Sequence, residues 1–218
     1  MGLGGNKMTE EISRKQNLVS ELAELEWNFF RHVHNIGGPA LCQSQPAVFR
    51  LMRTSQFETW SSEVLESYRQ DLLCAKAEGR NPLSEKYAYM MEHTNPLEYA
   101  HIKCLLPEVS AEAMAEIRKI IDIHLAWKQA LRERYPTLQQ RGRPMTSSQD
   151  NEYTTSVETY LWGELKTYSS KTIHLLLAYT IQAQQEGRNL AEETLTNMVR
   201  GYGYPDLATA EAALNCQS

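Results

Sequence analysis

No apolar run approaches the ~20 residues that a membrane-spanning helix needs, and no segment alternates β-branched with polar residues over a strand's length. The first absence argues against a membrane protein, the second against a sheet. Cysteine is scarce and scattered: Cys42, Cys74, Cys104 and Cys216 form no CxxC and no metal-ligand spacing, so no disulfide framework or zinc site is expected. Basic excess is missing too. Lys and Arg number 22 against 27 Asp and Glu, a net charge of −5. A chain without a basic face is not expected to bind nucleic acid or an anionic membrane. There is also no glycine-rich phosphate loop, no GxSxG and no HExxH. Met1 to Met8 lacks the apolar core of a signal peptide, and Asn6 stands where myristoylation wants Ser or Thr. Residues 1–8 read as a flexible tail or a tag remnant, Met8 as an older start, and the expected location is cytoplasmic.

What is present is helical periodicity. Leu18, Leu22, Leu25 and Phe29 recur at three- and four-residue steps in a helix expected from Thr9 to Asn35, closed by Gly37-Gly38-Pro39. Pro46 opens a helix expected to run to Glu78 with a break near Thr54-Ser55, and Pro82 opens one to Glu92. A short helix follows Asn95-Pro96. Ser110 introduces a long one to Arg134, its apolar face made of Ile117, Ile120, Ile121, His124, Trp127 and Leu131. Tyr135 to Asn151 is read as irregular. Further helices are expected over 154–167, 170–186, 190–200 and 206–214. The fold class is therefore all-α, a single-domain multi-helix bundle over residues 9–218.

Two pseudo-repeats, about 9–100 and 101–218, are expected within it. A shift of 100 pairs Trp27 with Trp127, Thr54 with Thr154, Glu58 with Glu158 and Tyr68 with Tyr168. A shift of 108 pairs Glu78-Gly-Arg-Asn81 with Glu186-Gly-Arg-Asn189. Here a left-handed Gly ends one helix and Asn caps the next, with Glu192 at capping-box distance from Asn189. Capping does not need Arg, so Arg80 and Arg188 remain as ligand-binding candidates.

Polar residues on apolar stripes mark the candidate site. Glu164 falls between Leu161 and Tyr168 at helical spacing, Arg53 and Gln56 share a stripe with Trp60, and Lys86 lies with Leu83 and Met90. A buried carboxylate needs a partner, so Glu164 is expected near Arg53 or Lys86. A satisfied ion-pair network is one reading. The other is a ligand pocket in which Arg53, Gln56 and Lys86 hold an anionic group while Glu164, Tyr68 and Tyr168 move a proton. Glu98 and His101 form the lone Glu-x-x-His, where carboxylate-bridged bundles use two, so no metal and no cofactor are assigned. His32 and His34 point to different sides of a helix. Cys42 is read as a small apolar residue rather than a nucleophile.

Cys42-Gln43, Arg53-Thr-Ser-Gln-Phe-Glu-Thr-Trp60, Gly79-Arg-Asn81, Lys86-Tyr-Ala-Tyr-Met-Met91, Thr94-Asn-Pro96 and Thr155 through Tyr168 together give the sequence a further property. With these stretches it resembles an uncharacterised bacterial family, catalogued as a domain of unknown function, over about Leu18 to Leu214. Some members of that family lie behind a nucleotidyltransferase-like domain, whose Gly-Ser and paired-Asp pattern is missing here. The resemblance implies domain boundaries and no reaction. The expected function is binding of a small polar or anionic metabolite, with acid–base chemistry, between the repeats. The alternatives are a non-catalytic interaction module or homo-oligomer, and a metal-dependent enzyme.

Overall fold

Eight helices begin at a polar cap that the sequence makes visible. Ser61, Asn81, Asn95, Ser110, Ser156, Ser169, Asn189 and Asp206 each accept a backbone N–H from the first turn of the helix they open. The computed structural model describes residues 3–33, 41–140, 142–151 and 154–216. His34, the Gly37-Gly38-Pro39 stop, Arg141 and the Cys42 side chain lie outside the described residues, as do the side chains of residues 3–8.

Among those residues there are eleven α-helices and no strand: α1 Leu3–Phe30, α2 Pro46–Phe57, α3 Ser62–Ala77, α4 Pro82–Thr94, α5 Pro96–Ile102, α6 Ala111–Arg134, α7 Pro136–Gln140, α8 Val157–Leu165, α9 Ser170–Gln185, α10 Leu190–Gly201 and α11 Leu207–Asn215. The fold is an all-α single domain. None of these helices is long and apolar enough to cross a membrane. Three differences from expectation have physical causes. The backbone of α1 is helical from Leu3 rather than from Thr9, because each residue added to an existing helix gains a hydrogen bond without a new nucleus. The break after Pro46 falls at Glu58–Ser61 instead of Thr54-Ser55, set by the Ser61 cap. The segment from Tyr135 is not wholly irregular: Pro136 opens the five-residue α7, and Ser147–Gln149 form a 3-10 turn.

Packing gathers α2, α3 and α4 around α1, and α8, α9 and α10 around α6. The two groups interlock. Helix α4 lies against α8, α2 against α10, and α3 against α9. The largest apolar cluster runs through this seam from Leu22 and Phe57 to Ile117, Ile120 and Ile173, all essentially without solvent contact.

The shift of 100 residues does not pair like with like. Glu58 ends α2 whereas Glu158 stands in the first turn of α8, and Thr54 lies inside α2 whereas Thr154 precedes α8. Tyr68 is inside α3 while Tyr168 lies ahead of α9. Connections of unequal length separate the helices in the two halves, so one shift cannot hold. At 108 the local geometry does agree. Gly79 and Gly187 have φ of 70° and 71°. In both turns the Arg N–H reaches back to an Ala carbonyl, Arg80 to Ala75 and Arg188 to Ala183, each at 2.9 Å. These are Schellman closures, which need a residue tolerant of positive φ. Asn81 and Asn189 then donate to carbonyls of the long first helix of each group, Phe29 and Trp127. The expected capping box at Asn189 is only half made. Its side chain accepts from Glu192 N, but the Glu192 carboxylate goes to Arg134.

Candidate functional site

Four charged side chains meet at the seam, two acids and two bases. Glu26 of α1 is 1% exposed, Lys86 of α4 3%, Glu164 of α8 5% and Arg53 of α2 9%. Arg53 grips both oxygens of Glu26 with Nε and Nη2, and its Nη1 lies 3.2 Å from Glu164 Oε1. Lys86 Nζ donates to Glu164 Oε2 at 2.5 Å and sits 3.5 Å from the centre of the Tyr160 ring. Gln56 accepts from Arg53 and faces Glu164 at 3.4 Å. Tyr168 donates to Glu164 at 2.9 Å, and Tyr68 donates to Glu26. The structure therefore brings together Arg53, Gln56, Lys86, Glu164, Tyr68 and Tyr168, and adds Glu26.

Charges of opposite sign in equal number fix the electrostatics. Burial pushes the Glu164 carboxyl up, but Arg53 and Lys86 outweigh it and hold the group well below the usual carboxylate range. Burial works against Lys86 as well, and Glu164 more than offsets it, raising the ammonium. The Tyr68 and Tyr168 hydroxyls are pushed far up, first by burial and then by Glu26 and Glu164 respectively. A proton-transfer group works best with its pKa near the operating pH. Glu164 and both tyrosines are driven away from neutrality, in opposite directions.

Arg80 and Arg188 stand apart from this cluster. Arg80 makes paired contacts with Glu85 at 2.9 Å, and Arg188 with Glu193 at 2.8 Å, so each ties its turn to the helix that follows. The acid five residues on takes each guanidinium, so neither of these ligand-binding candidates reaches the cluster. Among the described residues no three His, Cys, Asp or Glu side chains gather at metal-binding distance. Gln43 donates to the Phe30 and Val33 carbonyls and closes the end of α1.

A cavity of about 250 Å³ opens beside the cluster, between α2, α6, α8, α10 and the segment that follows α7. Gln56 and Glu164 reach its wall from the ion-pair side, with Trp60 and Tyr160 as aromatic surfaces. Arg53 and Lys86 line a smaller neighbouring cavity of about 160 Å³, and Tyr160 and Arg143 border both. Tyr68 and Tyr168 line neither of the two. The basic groups that face the larger space and have no acid partner among the described residues are His124, Lys128 and Arg143. Arg143 donates to the Thr155 carbonyl at 3.1 Å and stacks on Tyr160 with its guanidinium carbon 4.6 Å from the ring centre. Lys128 makes no hydrogen bond or ion pair among the described residues, and His124 has only the Trp127 ring, 5.0 Å away. Burial pushes the His124 imidazole down to about 4, helped by Lys128 and opposed by Glu164. Burial alone pushes the Lys128 ammonium down.

The wall carrying Arg143 is held by its own hydrogen bonds. Pro144 and Met145 carbonyls accept from Val157 and Glu158 N–H at 2.8 and 3.1 Å, and Asp150 accepts from Ser156 N and Thr159 Oγ1. Sequence reasoning placed His124 on the apolar stripe of α6 and did not single out Lys128, one turn later. The signal available was that Lys128 continues the stripe of Ile117, Ile120, Ile121 and His124 toward Leu131, where an apolar residue belongs.

The family model described as protein of unknown function (DUF4125) matches residues 16–212. The chain belongs to this family. Every residue of the ion-pair cluster and of the cavity lies inside the DUF4125 match, and α1 enters it partway along. No curated protein and no solved structure is significantly similar to the chain.

Proposed function

We propose that this DUF4125 protein binds a small anionic metabolite in the 250 Å³ cavity, at the seam between two related helical units. One observation carries the reading: Lys128 and Arg143 face the same space, and neither has a carboxylate partner among the described residues. The cations behind the wall, Arg53 and Lys86, are already neutralised by Glu26 and Glu164. A surplus of positive charge in a concave, partly aromatic site suits a carboxylate or phosphate. A space of about 250 Å³ accommodates a small organic anion. Glu164 and Gln56 act as a fixed polar wall, and His124, which lines the cavity with only the Trp127 ring beside it among the described residues, is left to relay a proton between its two ring nitrogens. The matching Glu-Gly-Arg-Asn turns, and the way α4 and α10 each pack on a helix of the other group, support the two related units.

A thermal-shift panel of small carboxylates, inorganic phosphate and phosphate esters tests this. A ligand present at 100 times its Kd stabilises the folded state by about 2.7 kcal/mol. At least one anion is expected to raise the melting temperature in a concentration-dependent way, and Arg143→Met is expected to abolish the rise. A flat response to the whole panel overturns the reading, as does a response unaffected in the Arg143→Met, Lys128→Met double variant.

A further inference from the structure

Among the described residues Lys86 and Lys166 are buried and Lys128 is half-buried. Lys86 is paired with Glu164, and Lys166 donates to Glu92 at 2.9 Å while lying 3.4 Å from the Tyr99 hydroxyl. Lys128 alone of the three has no acid, and it lines a cavity large enough for a small molecule. Its neighbour one helical turn earlier is His124, which lines the same cavity. An ion pair explains the first two lysines. It does not explain the third, since an unpaired cation in a half-buried position costs stability and is easily replaced by an apolar side chain. A desolvated lysine next to a proton-carrying group is the arrangement of a nucleophilic amine.

We propose that Lys128 forms an imine with the carbonyl carbon of a small anionic aldehyde or ketone, while Arg143 holds the anionic group and His124 carries the proton; this rests on the cavity being the anion site proposed above. In the step, the Nζ lone pair attacks the carbonyl carbon. A C–N bond forms and the C–O π bond opens onto oxygen. His124 takes a proton from nitrogen on one ring nitrogen as it passes one from the other to that oxygen, and the second amine proton follows by the same route. Water leaves, and the C=N double bond remains. Both hydrogens of the amine end in the water, so no oxidant or reductant enters.

The surroundings favour each part of the step. Burial without a counter-charge lowers the Lys128 ammonium, the opposite of Lys86, where Glu164 outweighs burial and the ammonium is raised. More of the reactive free amine is therefore present at Lys128. The His124 imidazole, pushed down to about 4 by burial, does not stand protonated at physiological pH; it relays, taking a proton on one nitrogen as it gives one up from the other, so its low basicity is no bar. Trp60, Tyr160, Val157 and Leu161 supply apolar wall on which a short carbon chain can lie. The carboxylate of Glu164 lines the cavity too, but with both oxygens engaged by Lys86, Arg53 and Tyr168 it is not free to neutralise Lys128.

Reductive trapping decides the matter. The full chain is incubated separately with pyruvate, with dihydroxyacetone phosphate and with acetone, each with sodium cyanoborohydride, and the modified lysines are mapped by peptide mass spectrometry. One of the two anionic probes should label Lys128 at least about tenfold more than any other lysine, a selectivity equivalent to about 1.4 kcal/mol. Acetone, which has the ketone without the charge, should not. The preferred probe tells whether the anion is a carboxylate or a phosphate. Lys128→Met should remove the label, and Arg143→Met should reduce it to the acetone level while leaving Lys128 in place, so the second variant decides even if the first folds poorly. Propanoate and inorganic phosphate, which carry the anion without a carbonyl, should raise the melting temperature and suppress labelling. Label spread evenly over surface lysines, or equal labelling of Lys128 by acetone, overturns the proposal. Stabilisation by the anions with Lys128 unlabelled overturns imine formation and leaves the anion site standing. If there is neither label nor stabilisation, both readings fall.

Discussion

Removing one carboxylate from a charge-balanced buried set strands a cation that water cannot reach. Glu164→Gln keeps the shape of the side chain but leaves Lys86 and one face of Arg53 without their counter-charge. Breaking a buried pair in this way costs about 3–5 kcal/mol. Urea unfolding should show a loss of that size, and a loss below ~1 kcal/mol would mean that the cluster does not hold the seam. Acid should reveal the same groups. The Glu164 carboxyl is depressed in the folded protein, so its contribution is present above the ordinary Glu value of ~4.3 and is lost as pH falls from there toward the folded value. His124 acts earlier. Its folded value is about 4 against ~6.5 in the unfolded chain, so between these the unfolded state binds the extra proton and stability drops as pH falls. Lys128 and Glu164 face it with opposite effects, and burial dominates both. The urea midpoint should decline between pH 7 and 5, and His124→Gln should flatten that limb; a wild-type midpoint constant over the range contradicts the burial of His124. Glu164, Arg53 and Lys86 were legible in the sequence because charge on an apolar stripe demands a partner. Glu26 carried the same signal, four residues from both Leu22 and Phe30, and was not singled out. Of the cavity only Gln56 and Glu164 were legible, because its far wall depends on where the segment after α7 comes to rest against α8.

Helices α8 and α4 cross at a glycine, and so do α10 and α2. A Cβ at Gly163 would lie 2.5 Å from Met90 Cγ and 2.6 Å from the Lys86 carbonyl oxygen. At Gly201 it would lie 2.2 Å from Leu51 Cδ1, the far end of a flexible side chain. Ala gains up to about 1 kcal/mol of helix propensity over Gly, while overpacking costs about 1–3 kcal/mol where the neighbour cannot yield. Backbone yields less than a leucine methyl. Gly163→Ala should therefore destabilise the protein, and Gly201→Ala should cost distinctly less; thermal melts of the two variants with the reverse order would refute this account of the crossings. Moving α4 also shifts Lys86 relative to Glu164, so Gly163→Ala should weaken anion binding alongside stability. At this scale most was legible. Proline at the first turn and Ser or Asn before it fixed where α2, α4, α6, α9 and α10 begin to within a residue or so. The five-residue α7 escaped because one turn of helix carries too little periodicity to stand out from a Pro- and Gln-rich stretch.

Neither half of the molecule can cover its own helices, since α4 needs α8 and α10 needs α2. Fragments 1–108 and 109–218 should each be largely unfolded when made alone and should recover helical circular dichroism when mixed. A fragment that melts cooperatively by itself would show that the interlock is dispensable. Periodicity could not reveal this arrangement, because it identifies the buried face of a helix and not the helix that will lie against it. The order in which the chain is made then becomes important. Arg53 and Lys86 leave the ribosome with only Glu26 for company, and the second acid, Glu164, is encoded 78 residues after Lys86. At ~5–20 residues per second, that is a wait of roughly 4–16 s. During it the first half carries an unneutralised positive charge beside an uncovered apolar face, so this stretch of synthesis is where a chaperone has most to shield.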